Sequence, residues 1–167
     1  NETMSRTQTL RFMDLGQHLE RAQQSCSLLQ AVFANTPPTD ALMEALLRLA
    51  DTLMTYRRRY HTELHPLAIM DLLLLDDSTP RSVSYQCARL LRQTEKLPAL
   101  HNDASITLSR EQRLAMELVA LLQQIDLQQL FDAQQHALPG LNLQLHQLQQ
   151  TLRQLSDSVT LSYFNHA

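Results

Sequence analysis

Three consecutive arginines stand between two tyrosines, Tyr56, Arg57, Arg58, Arg59 and Tyr60, in a chain otherwise rich in leucine and glutamine. Downstream come Leu72 to Asp76 and then Pro80, Arg81 and Ser82. Guanidinium recognises carboxylate and phosphate through a planar fork, so this concentration either holds an anionic ligand or neutralises the protein's own carboxylates. Successive helical residues turn by about 100°. Arg58 is therefore expected in solvent, while Arg57 and Arg59 flank the tyrosine stripe within reach of Glu20, Asp51, Asp71 or Asp76, or hold an anion together with Arg81.

Glu20 is the other candidate. It lies one turn beyond Gly16 and leans over that turn, where the missing side chain lets another helix come close. Paired with Arg57, Arg59 or Arg81 it is structural, and Glu20→Gln then costs on the order of 3 kcal/mol. Beside a cleft, with a raised pKa, it is instead a general base or a ligand-binding carboxylate. Asp76, Asp77 and Ser78 precede a helix expected to open at Pro80, so one of them is its N-cap; an anion at that terminus is opposed by two adjacent aspartates. His61, Glu63 and His65 carry a metal-like spacing, but Pro66 pushes His65 out of helical conformation, and no metal is assigned. No glycine-rich phosphate loop or serine or cysteine nucleophile motif is present, and no cofactor is assigned.

The elements that position these groups are helices. Leu15, Leu19, Ala22, Cys26, Leu29 and Phe33 alternate spacings of four and three, which predicts a long helix from about Met4 to Ala34, ended by Asn35 to Pro38. A second helix is expected from about Thr39 to His61, with Leu42, Leu46, Leu49, Leu53, Tyr56 and Tyr60 pointing coreward. Pro66 suits the first position of a short third helix through Leu75, apolar almost all round and hence central. A fourth runs from Pro80 to about Lys96 with Val83, Cys87, Leu90 and Leu91 inward, and Leu97 to Leu108 is the longest loop. Ser109 with Gln112 and Asp126 with Gln129 read as capping boxes that start a fifth and a short sixth helix, the latter closed by Pro139 and Gly140. The last helix carries Leu141, Leu145, Leu148, Leu152, Leu155 and Val159 at heptad spacing, a seam for another long helix within the chain or from a second copy.

Only two glycines and six prolines interrupt 167 residues dominated by good helix formers, the composition of one all-α domain, expected as an antiparallel bundle of six or seven helices. A net charge of -3 gives no basic footprint for nucleic acid. The longest apolar run falls far short of the ~20 residues that span a bilayer. Cys26 and Cys87 lack metal-type spacing and read as buried free thiols in a reducing compartment, so the expected location is cytoplasmic.

Leu15, Gly16, Gln17, His18, Leu19, Glu20, Arg21 and Ala22 resemble the signature helix of the alpha-E family, bacterial helical domains named for a glutamate that Glu20 matches. The resemblance continues through Thr55 to Tyr60, Leu72 to Asp76, Pro80 to Ser82 and Tyr163 to His166. It departs from the family at Gln17, often arginine there, and at Thr79, often asparagine. Because the family's full-length domain looks like a duplication with the motif in each half, the resemblance implies a C-terminal half, whose partners are the missing N-terminal half or a second copy. Alpha-E domains occur fused to or beside circularly permuted ATP-grasp and transglutaminase-like proteins. The function so implied is an accessory or interaction module of a system that makes or cleaves peptide-like amide bonds. Glu20, Arg21, Tyr56, Arg57, Arg59, Tyr60, Asp76, Arg81 and Ser82 then form a mainly architectural network. The alternative is an enzyme, or part of one, in which Glu20 is acid or base and Arg57, Arg59 and Arg81 hold an anionic peptide or nucleotide.

Overall fold

The computed structural model describes residues 5–34, 36–100 and 107–165. They form seven α-helices: α1 (Arg6–Phe33), α2 (Asp40–Leu49), α3 (Leu53–Tyr60), α4 (Pro66–Met70), α5 (Val83–Glu95), α6 (Arg110–Gln123) and α7 (Pro139–Tyr163). A π-helical turn, Asp71–Leu75, extends α4, and a 3-10 turn, Leu127–Gln129, follows α6. The expected Met4 start and Asn35 stop of the first helix, and the middle of the 97–108 loop, lie outside the described residues.

Four long helices close a ring, α1 against α5, α5 against α6, α6 against α7 and α7 against α1. Neighbours run antiparallel. The Arg11 guanidinium near the start of α1 donates to the carbonyl of Lys96 just past α5, while Ser25 further along α1 donates to the carbonyl of Arg81 just before α5. Along α7 the order also reverses, Phe12 stacking on Tyr163 and Gln30 donating to Asn142. The first-helix stripe from Leu15 to Phe33 is buried throughout, because a face that packs on two neighbours and the core must be apolar over a wide arc.

All six leucine and valine positions of the α7 heptad stripe are buried within the chain. The seam expected to recruit a second helix is thus used up by α1 and α6. Pro139 opens α7 as its first residue instead of closing a sixth helix. Gly140 beside it is a close approach, since a Cβ there would stand 3.1 Å from the Leu130 side chain. The Asp126 side chain caps only the N–H of Gln128, and the expected sixth helix is that single 3-10 turn.

Between α1 and α5 the chain leaves the ring and builds a cap over one end. Its centre is α4 with the π-turn, where Ile69, Met70, Leu72, Leu73 and Leu74 are buried, the central apolar segment that Pro66 was expected to start. The expected second helix is broken in two. Asp51 takes the left-handed conformation (φ 53°), and the buried Thr52 returns its N–H to the carbonyl of Leu47 at 2.8 Å. Asp tolerates that region better than most residues. The break turns Leu42 and Leu49 outward, against expectation, and keeps Leu46, Leu53 and Tyr56 inside.

Leu46→Ala, at 2% exposure, should therefore cost about 2–5 kcal/mol in urea unfolding. Leu49→Ala, at 72% exposure, should change stability by no more than about 0.5 kcal/mol, whereas an unbroken helix would make both costly.

Candidate functional site

Asp76 is the hub of the polar cluster beneath this cap. It follows the π-turn in extended conformation, which swings its carboxylate back over the next turn of chain. One oxygen accepts the N–H of Ser78 at 2.9 Å and the Ser78 hydroxyl at 2.6 Å. The other accepts the Thr79 hydroxyl at 3.0 Å and the Arg59 guanidinium. Burial alone would push this carboxyl up, but the donors outweigh it and hold it down from 3.8 to about 2. The Asp76 carbonyl accepts from the Ser82 hydroxyl, whose oxygen in turn accepts the N–H of Tyr85. Ser82 is thus the N-cap of α5, and the helix begins at Val83 instead of Pro80. The residues expected to cap it, 76–78, form the turn that delivers it.

The tyrosines act by clamping. The Tyr56 hydroxyl donates to the carbonyl of Glu63 and accepts the N–H of His65, each at 2.9 Å, tying α3 to the strand of chain that enters α4. Tyr60 stacks on Tyr56 at 5.1 Å and donates to Asp71 at 3.4 Å. Desolvation, then the Asp71 charge, pushes the Tyr60 phenol up. His61 sits at the end of α3 with φ 64°, and His65 pairs with Glu63. Among the described residues no group of three or more metal-ligating side chains converges.

The remaining arginines do not converge either. Arg57 lies 3.8 Å from Glu44, which Arg48 already holds at 2.6 Å, and Arg81 lies 3.8 Å from Asp51. Glu20 is where expectation fails most clearly. It is exposed, and its hydrogen bond is to Gln24 of its own helix, at 3.3 Å, not to Arg57, Arg59 or Arg81. The hollow beside it, about 430 Å³, is lined by Gln23, Gln24, Ser27 and Leu28 of α1 and by none of the arginines. Nothing stands within 4 Å of a Cβ built on Gly16, so that glycine admits no neighbouring helix of this fold. Arg21 is exposed beside Glu20, and among the described residues it has no hydrogen-bond or ion-pair partner. A large penalty for Glu20→Gln no longer follows, and the cleft that would join Glu20 to the arginines does not assemble.

Residues 1–164 match Alpha-E, described as a predicted alpha-helical domain with a conserved ER motif. Glu20–Arg21 is the Glu-Arg pair of this sequence. The chain belongs to the Alpha-E family. An uncharacterised protein of Mycobacterium bovis and two of Mycobacterium tuberculosis are each 32% identical to it over 110 residues, 64% of this chain. The chain spans 12% of the length of those relatives. No solved structure matches it. Among the described residues no helix of this Alpha-E chain is long and apolar enough to cross a membrane.

Two polar sites of the Alpha-E bundle escaped sequence reasoning. Glu111 in the first turn of α6 is buried and accepts the hydroxyls of Ser158 and Ser162 of α7, each at 2.7 Å. Desolvation raises its pKa, but the serine hydroxyls and the backbone donor together outweigh it and the net shift is downward. The available signal was the serine pair four apart on the edge of the α7 stripe. Gln86, also buried, donates to the carbonyl of Pro80, so its oxygen faces His18 Nδ1 at 2.6 Å and makes that nitrogen the donor.

Because the folded-state pKa of Asp76 lies below its ordinary value, its contribution is present above about pH 4 and is lost as pH falls toward about 2. Asp76→Asn should thus lower the thermal midpoint at neutral pH, and the gap to the parent should close across that window. Tyr56→Phe leaves a carbonyl and an N–H of the 63–65 segment without their partner and should cost about 1–3 kcal/mol in denaturant unfolding.

Proposed function

We propose that this Alpha-E domain is a non-catalytic interaction module that docks through the outward face of α1, as an accessory to an ATP-grasp-linked system acting on peptide-like amide bonds. The observation that carries the reading is the exposure of Glu20–Arg21, the pair that matches the family's ER motif, held within the fold only by the bond from Gln24. A solvated pair of this kind adds at most a few tenths of a kcal/mol to stability. Its value lies in a contact outside the domain. Gly16 points the same way: a glycine inside a helix costs roughly 1 kcal/mol relative to alanine, and its bare backbone faces outward, one turn from Glu20.

The arginines that an anion site would need are drawn to Asp76, Glu44 and Asp51. The ATP-grasp setting rests on the company that Alpha-E domains keep. Relatives far longer than this chain fit a module that works within a larger assembly.

Co-expression with the circularly permuted ATP-grasp protein of the same genome tests the proposal. The two should co-purify, and Glu20→Ala with Arg21→Ala should abolish the complex while changing the stability of the domain by less than about 0.5 kcal/mol. A complex that survives the double substitution would overturn docking through this face.

A further inference from the structure

The outward face of α1 carries a second heptad pattern, opposite the one that fills the core. Leu10, Met13, Gln17, Glu20, Gln24, Ser27 and Ala31 follow spacings of three and four over three full heptads. All seven are exposed, including Leu10 at 52% and Met13 at 55%. On the edge of this stripe, directly after Met13 and Glu20, stand Asp14 and Arg21, one heptad apart and opposite in charge. Both are exposed, and among the described residues neither has a hydrogen-bond or ion-pair partner.

We infer that this face pairs with α1 of a second copy of the chain, antiparallel, with Arg21 of each copy against Asp14 of the other. The inference rests on the docking reading above and names the occupant of this face when the chain is alone. Orientation follows from the charges. In an antiparallel pair like edges meet, so Asp14 and Arg21 form two reciprocal ion pairs. In a parallel pair that edge would meet the opposite one, which carries Gly16 and Gln23 and offers no charge. The middle of the seam is polar, Gln17 and Gln24 on either side of Glu20. An amide can donate to the carboxylate across the interface, and polar residues at seam positions specify register at a cost in affinity. Leu10 and Met13 supply apolar contact toward each end. The bare backbone at Gly16 lets the two helices approach beside this polar centre.

Because the α7 stripe is buried within the chain, the 167-residue chain closes its own core and can be studied alone. Light scattering should show a dimer at micromolar concentration. Arg21→Glu and Asp14→Arg should each weaken it about tenfold or more, since each sets like charges together at two symmetric places, and the double variant should restore it. Circular dichroism verifies that each variant keeps its helices. A monomeric parent, a dimer indifferent to both reversals, or a double variant that stays monomeric would overturn the pairing. A monomeric parent leaves the docking reading to the ATP-grasp complex. Survival of that complex in Glu20→Ala with Arg21→Ala overturns docking whatever the oligomeric state.

Discussion

The cap depends on burying one apolar segment, Ile69 to Leu74, at the end of the four-helix ring. Between α1 and α5 the chain makes a long excursion and must come back antiparallel to the helix it left. That excursion is stable because it returns through the core. A π-turn adds a residue per turn and redirects the backbone, so three consecutive leucines, 72–74, are all buried before Asp76 turns outward. The Asp76 hub then converts the exit into the start of α5 by handing its carbonyl to the capping Ser82. Tyr56 secures the entrance in the same way, holding the chain on either side of Leu64.

Among the described residues the arginine ion pairs stay within the cap, between Glu44 and Arg81. Asp76 draws its donors from within three residues, apart from Arg59, and Glu44 takes Arg48 one turn away. Glu111 joins α6 to α7 through neutral hydroxyls, which avoids burying a second charge. Of the three consecutive arginines, Arg59 closes on Asp76 and Arg57 lies beside Glu44, while Arg58 is exposed. Glu20 and Arg21 on α1 stay outside that network.

Features set by neighbours in sequence were legible before the structure. The α1 stripe, Pro66 at the head of α4, the Ser109–Gln112 capping box and the α7 stripe all stand where their local patterns put them. What failed was decided at a distance. The leucine pattern runs unbroken from Leu42 to Leu53, so nothing local marks the left-handed Asp51; the cap's need to turn back on the bundle does. Glu20 is a failure of another kind, since on α1 it stands on the face opposite the core stripe, a position that the local spacing alone turns to solvent. Glu111 has partners 47 and 51 residues away, beyond any periodic signal. The sequence offers Arg59 four carboxylates, and the geometry after the π-turn selects Asp76.

Cys26 and Cys87 lie fully buried on α1 and α5, the two helices that bracket the excursion. Burial pushes the Cys26 thiol up to about 12 and the Cys87 thiol higher still, with the neighbouring Cys26 adding to it. Almost no thiolate exists at neutral pH while the helices stay in place, so an alkylating reagent must wait for the backbone to open. The molecule thus carries a pair of intrinsic clocks. Their labelling rates distinguish a cap that lifts on its own from a ring that comes apart, because lifting the cap leaves the α1–α5 contact closed while opening the ring releases both thiols together.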